Sequence, residues 1–174
     1  MLDAGGAVRA ALQPALVTVT EFYHPQFNHY FITADPGETA LLVAGKLPPW
    51  VPTGLTFKAW NDPGTNITNV CRFFSASFAP LSSHFYSNDP NACPSLQDGG
   101  VWALESRNAF YLMPSPDGVC PIGTVPLYRL YNNGMGGAPN HRYTVDRVVR
   151  ASMLAKQWVA EGNGSDVVFT CVSA

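Results

Sequence analysis

Three stretches of this chain carry the same landmarks in the same order, and that recurrence limits its folds more than any other feature. The stretches NHYFIT at 28–33, SHFYSND at 83–89 and NHRYTVD at 140–146 place His29, His84 and His141 at intervals of 55 and 57 residues. Trp50, Trp102 and Trp158 follow at intervals of 52 and 56. An aromatic stretch precedes each histidine: TEFYH at 20–24, CRFFS at 71–75 and YRLYN at 128–132. An apolar stretch follows each tryptophan: LTFKAW at 55–60, NAFYLM at 108–113 and DVVFTCV at 166–172. The chain therefore divides into an N-terminal extension, 1–16, and one domain, 17–174, of three units at 17–64, 69–122 and 124–174.

Each unit reads as strand, strand, short helix, strand and strand. Period-2 alternation puts His29 with Phe31, His84 with Tyr86 and His141 with Tyr143 on one face of the second strand. Asp35 stands ready to cap a helix, with Pro36 at its first position and Glu38 three residues after the cap. Asp89 and Asp146 take the same place in the later units. Fifteen glycines, fifteen prolines and a 12% share of aromatic residues fit many short strands joined by turns. The fold class expected is mainly β: three pseudo-symmetric four-stranded repeats, each with a short helix, in a β-trefoil-like closure that removes exposed edges. The helix between the second and third strands departs from a trefoil, so a three-bladed, propeller-like assembly is the alternative.

Charged residues make up 13% of the chain, about half the usual ~25%. The net charge of −2 offers no basic surface to follow a phosphate backbone, so nucleic acid is not expected as a partner. No run approaches the ~20 apolar residues that span a bilayer, so no membrane span is expected. The opening MLDAGGAVRAALQPALV lacks the regions of a secretory signal, and Met1 reads either as an added start or as the edge of a domain from something longer. Cys71, Cys93, Cys120 and Cys171 show no zinc spacing. Four cysteines allow three pairings; Cys71–Cys93 within the second unit and Cys120–Cys171 around the third are the favoured ones. Two bridges point to a secreted, periplasmic or cell-surface protein; four reduced buried thiols in a cytosolic one are the alternative.

The pattern CRFF, SHFYS, Trp102 and AFY at 71–111, followed by CPIGTVPLYRLY at 120–131 and NHRYT at 140–144, resembles a bacterial repeat family catalogued as a domain of unknown function. The likeness spans roughly 20–172, with the first unit the loosest copy. It implies an extracellular, non-catalytic accessory module of exported hydrolases, suspected of binding carbohydrate or cell wall, and brings no catalytic residues. The Gln-x-Trp signature of ricin-type lectins is absent, since Pro48, Gly100 and Lys156 stand two residues before the three tryptophans.

Candidate ligand-binding residues come from the recurring side chains. His29, His84 and His141 could converge about an axis as a three-histidine zinc site, pack as scaffold, or each line a pocket. No metal and no cofactor is the expectation, with these three as the metal candidates. Trp50, Trp60, Trp102 and Trp158 offer faces for a sugar ring, and Glu105 and Glu161 follow Trp102 and Trp158 by three residues as hydroxyl acceptors. Phe27 and Phe78, in the variable first loops, are further candidates. No GxSxG, P-loop or GxGxxG motif is present, which points away from an enzyme. The function expected is a secreted binding module for a glycan or cell-envelope polysaccharide, with up to three weak pockets acting through avidity. Its further partner would be the catalytic domain of a longer parent protein. A three-histidine metal-dependent hydrolase and a protein-interaction or structural module are the alternatives.

Overall fold

The computed structural model describes residues 14–174, so all but three residues of the expected 1–16 extension fall outside it. Strand accounts for 42% and helix for 17%, which makes the chain mainly β. β1 (Leu16–His24) turns through Asn28 into β2 (His29–Thr33), then α1 (Pro36–Val43) leads to β3 (Val51–Trp60). The turn needs φ of 55° at Asn28, a left-handed conformation that asparagine tolerates. After β4 (Thr68–Asn69) come β5 (Cys71–Ser75), β6 (Ser83–Ser87), α2 (Ala92–Asp98), β7 (Ala103–Ser106) and β8 (Tyr111–Pro114). The last segment holds β9 (Thr124–Tyr131), β10 (His141–Thr144), α3 (Arg147–Ala155), β11 (Val159–Glu161) and β12 (Thr170–Ser173).

Two sheets form. One runs β10-β9-β12-β8-β3-β1-β2, with β11 beside β9 and β4 beside β8; the other runs β6-β5-β7. Both are open, and no barrel closes among the described residues, so the hydrogen bonding does not form the closed barrel that a trefoil requires. The sheets meet through side chains. Tyr86 donates its hydroxyl hydrogen to the Ile32 carbonyl, and Tyr143 does the same to the Tyr86 carbonyl at 3.2 Å. Asn140 brackets Tyr30, accepting from its amide at 2.7 Å and donating to its carbonyl at 3.0 Å. Each of the edge strands β2, β6 and β10 is thereby tied to the other two. Val19, Phe22, Ile32, Tyr86, Phe110, Leu127, Tyr143 and Val172 fill one core drawn from the whole length of the described chain.

Local chemistry accounts for most boundaries. The Asp35 carboxylate accepts from the Glu38 amide at 2.6 Å, and Asp146 accepts from Val148 and Val149 at 2.7 and 3.2 Å. Asp89 differs from the expectation. α2 begins after Asn91, and the Asp89 carboxylate instead binds the Asn91 amide in a tight turn at 2.8 Å. Both favoured disulfides are present, Cys71–Cys93 and Cys120–Cys171.

The strand registers shift one expected correspondence. Arg72 lies opposite Tyr86, Arg129 opposite Tyr143, and Glu21 opposite Ile32. Thr33, Ser87 and Thr144 accept from the amides of Asp35, Asp89 and Asp146 in the same way. Counting back from these hydroxyls, Tyr30 takes the place of His84 and His141. His29 falls in the place of Ser83 and Asn140. A slip of one residue in a strand sends a side chain to the other face, so His29 performs a different task. It donates from Nδ1 to the Ser82 carbonyl at 2.9 Å. Ser83 likewise bonds the Pro139 carbonyl.

Glu21 sits at a bulge between Thr20 and Phe22, a device that re-aims a side chain. It is 3% exposed and takes Arg142 as a two-point pair, with Nε and Nη2 at 2.9 and 2.8 Å from its oxygens. The Arg142 guanidinium also lies 4.0 Å from the Tyr30 ring centroid. Removing one member leaves a buried charge uncompensated. Arg142→Met is expected to destabilise the protein by about 3–5 kcal/mol, and Glu21→Met with Arg142→Met together to recover most of that loss. Urea unfolding of the two variants checks this, and a double variant no better than the single one would sink it.

Candidate functional site

Where the first helical segment meets the second hairpin, Arg72 stands between carboxylates. Its Nη1 donates to Glu38 at 2.7 Å, and its Nε lies 2.8 Å from Glu105. His84 Nε2 is 3.4 Å from the same Glu105 oxygen. The registers explain the arrangement: Arg72 and Phe74 alternate along β5, and His84 faces Phe74 across the hairpin. Burial alone would raise the Glu105 pKa, but the hydrogen bond and charge of His84, with Arg72, outweigh it and hold the carboxyl below its ordinary value.

Two hollows meet here. A cleft of about 680 Å³ is lined by Thr33, Asp35, Glu38, Asn61, Arg72 and Asn108. A recess of about 290 Å³ is lined by Phe31, Glu38, Leu42, Leu47, Trp50 and His84. Glu38 forms part of both walls. Trp50 is half-buried, with its ring 5.7 Å from Phe31, and His84 lies 4.6 Å from Phe31. The recess thus combines an indole, a phenyl ring, an imidazole and a carboxylate, a set that can bind an amphipathic ring by stacking and hydrogen bonding.

A second arginine has matching partners in the last segment. Arg129 Nε lies 2.8 Å from Glu161, and His141 Nε2 lies 3.2 Å from the same oxygen. The Arg129 guanidinium stacks 4.2 Å from the Phe169 centroid. Hydrogen bonding from His141 is the main cause that lowers the Glu161 pKa, with Arg129 adding to it against burial. The cleft over Arg129 holds about 510 Å³. Over Glu21, the residue at that register in the first hairpin, the hollow is about 30 Å³.

The residues singled out in the sequence fall in different places. His84 and Glu105 join one network, and His141 and Glu161 join another. Trp50 lines the recess. Trp102 is half-buried against Phe78 and Phe85, at 5.9 and 6.0 Å. Trp158 is 4% exposed, packed with Tyr128, Leu130 and Met153, and Trp60 is 8% exposed. His29 is 1% exposed, and Phe27 stacks on His24 at 3.7 Å. Among the described residues no group of three or more His, Cys, Asp or Glu side chains is placed to hold a metal ion, so His29, His84 and His141 do not converge as one site. The sequence reading missed Arg72, Arg129 and Glu38. Its available signal was the arginine at the second position of both CRFF and YRLY, where the first unit has Glu21.

A family model for a domain of unknown function (DUF5648) matches residues 3–113, more than half of the chain. The chain belongs to that family. The match ends within β8, so it takes in every residue that lines the Arg72 cleft and stops short of the 172 expected for the likeness. No curated protein and no solved structure matches the chain.

Burial lowers the pKa values of His24, His29 and His141. His29 Nε2 has no hydrogen-bond partner among the described residues, so a proton added there would be buried and unbonded. These rings take up protons at lower pH in the fold than in the unfolded chain, which does so near pH 6.5. Stability is therefore full above that pH and falls as pH drops through it, with Glu105 and Glu161 extending the loss below their unfolded range near 4.5. The thermal midpoint is expected to fall between pH 7.5 and 5.5, and His29→Gln to flatten that slope. A midpoint level across the interval would refute it.

Proposed function

We propose that this chain is a secreted, non-catalytic binding module for a glycan or cell-envelope polysaccharide, built from three copies of one strand–helix unit. One observation carries the reading: an aromatic recess and a polar cleft meet at Glu38. A sugar has an apolar C–H face and a rim of hydroxyls. The indole of Trp50 suits the face, adding about 0.5–1.5 kcal/mol beyond buried area if it behaves like an aromatic pair. Glu38, Asn61, Asn108 and Arg72 suit the rim. The ion pairs of Arg72 with Glu38 and Glu105 hold the polar wall before a ligand arrives, which reduces the ordering cost of binding.

The two disulfides support an oxidising compartment, and hence a secreted or surface location. The partner on the protein side is the catalytic domain of a longer parent. In this reading Trp158 and Trp60 serve packing, while Trp50 and His84 serve the ligand. Titration of the oxidised protein with neutral oligosaccharides, chitotetraose and cellotetraose among them, is expected to change Trp fluorescence and to saturate. Trp50→Ala is expected to weaken binding about tenfold or more, equal to at least ~1.4 kcal/mol. Equal binding by Trp50→Ala, or silence across the sugars, would overturn the reading.

A further inference from the structure

The cleft over Arg129 shares no lining residue with the Trp50 recess and lies between the second and third segments. Its wall carries Asn88, Asp89, Ser115, Arg129, Asn163 and Phe169. It is built like the cleft over Arg72. In both, an arginine of the first hairpin strand lies opposite a buried tyrosine, Tyr86 or Tyr143. In both, a carboxylate shared with a histidine holds the arginine from its Nε side. In both, an aspartate and a proline border the opening, Asp35 and Pro36 or Asp89 and Pro90. At the third junction Glu21 takes the arginine's position, paired with Arg142, and Leu55, Thr56 and Phe57 wall a hollow of only about 30 Å³.

The two open clefts differ in charge. Arg72 is engaged at Nη1 by Glu38 as well as at Nε by Glu105. Glu38 follows Asp35 by three residues; Ala92 follows Asp89 by three, and no carboxylate stands there. Arg129 accordingly makes one ion pair among the described residues, with Glu161 through Nε. Among the lining residues, Asp35 and Glu38 face one arginine in the first cleft, and Asp89 alone faces one in the second. One Asp89 oxygen is already engaged by the Asn91 amide at 2.8 Å. Arg129 is also held by Phe169, whose ring centroid lies 4.2 Å from the guanidinium, and a guanidinium fixed in this way has the fork shape that matches a carboxylate.

We infer that the Arg129 cleft is a second saccharide site, and that it takes a sugar bearing a carboxylate where the Arg72 cleft takes a neutral one. This rests on the glycan-binding reading above. Asn88 supplies hydrogen bonds to the ring hydroxyls, and Arg129 reads the acid group.

Calorimetric titration with tetragalacturonate and, separately, with chitotetraose tests the inference. Tetragalacturonate is expected to bind at one site, to weaken at least tenfold in Arg129→Gln, and to be unchanged in Trp50→Ala. Ala92→Glu restores the spacing of Glu38 from Asp35 without touching the ion pair. It is expected to weaken tetragalacturonate binding while keeping the wild-type thermal midpoint, which guards against Arg129→Gln failing to fold. Binding of chitotetraose alone would overturn the acidic site and leave the Trp50 reading standing. Binding of tetragalacturonate that depends on Arg129, with neutral sugars silent, would support the acidic site and overturn the Trp50 reading. Tetragalacturonate binding that survives both Arg129→Gln and Ala92→Glu would overturn the inference, and so would silence with both sugars.

Discussion

Three strand edges, on β2, β6 and β10, each present amides and carbonyls that no further strand pairs. Unpaired backbone groups of this kind are costly when buried and hazardous when exposed. Here the remedy is side chains. The Tyr86 and Tyr143 hydroxyls, the Asn140 amide, the Ser83 hydroxyl and the His29 imidazole each bond backbone of a neighbouring segment. Two open sheets thereby become one body, and the joints between segments are polar where a barrel would have continuous ladders. Tyr86 and Tyr143 show how firmly the joints are enclosed: burial raises both phenol pKa values far above the ordinary range.

The clefts follow from those joints. An arginine beside each buried tyrosine cannot be left unpaired, so Glu105 and Glu161 are drawn to Arg72 and Arg129, and His84 and His141 to the carboxylates. Phenylalanine rings lie against each guanidinium, Phe31 5.5 Å from Arg72, and Phe169 and Phe85 4.2 and 5.7 Å from Arg129. Packing of this kind keeps the charge in place and leaves space above it. At the third joint the charges are exchanged, with Glu21 on the hairpin and Arg142 paired to it, and the hollow beside Leu55, Thr56 and Phe57 is small. Scaffold and candidate site are the same set of residues.

Most strands, the two disulfides and the caps of α1 and α3 were legible because each depends on neighbours in sequence or on a small number of pairings; the first segment instead runs its third and fourth expected strands together as β3, Val51–Trp60. Asp35 and Asp146 announce their helices within three residues. Asp89 misled because Asn91 and Pro90 favour a turn before the helix begins. The alignment of His29 with His84 and His141 failed for a different reason. The first segment has one more residue between its histidine and the hydroxyl that precedes the capping aspartate, and only the cross-strand register reveals which residue faces which. The arginine networks were hidden because their partners lie 33 and 32 residues away, with Arg72 joined to Glu105 and Arg129 to Glu161. Nothing local marks an arginine as a joint.

β12 pairs with β9, β8 and β3, and its Cys171 is bridged to Cys120. A pull on the chain after Cys171 would meet the cross-link after peeling only a few residues. The load would then pass through Cys120 into the turn ahead of β9, bypassing the remaining β12 pairing at Thr170. That turn is itself crowded: a side-chain carbon at Gly118 would sit 2.4 Å from the Asn163 carbonyl, so the backbones of two loops touch there. Tension on this side is shared between a covalent bond and a backbone contact too close to slide. The first segment has no cysteine, so its β1–β2–β3 pairing must resist a pull with hydrogen bonds and packing alone. The molecule is mechanically asymmetric, stiff towards Cys171 and able to unzip from Leu16.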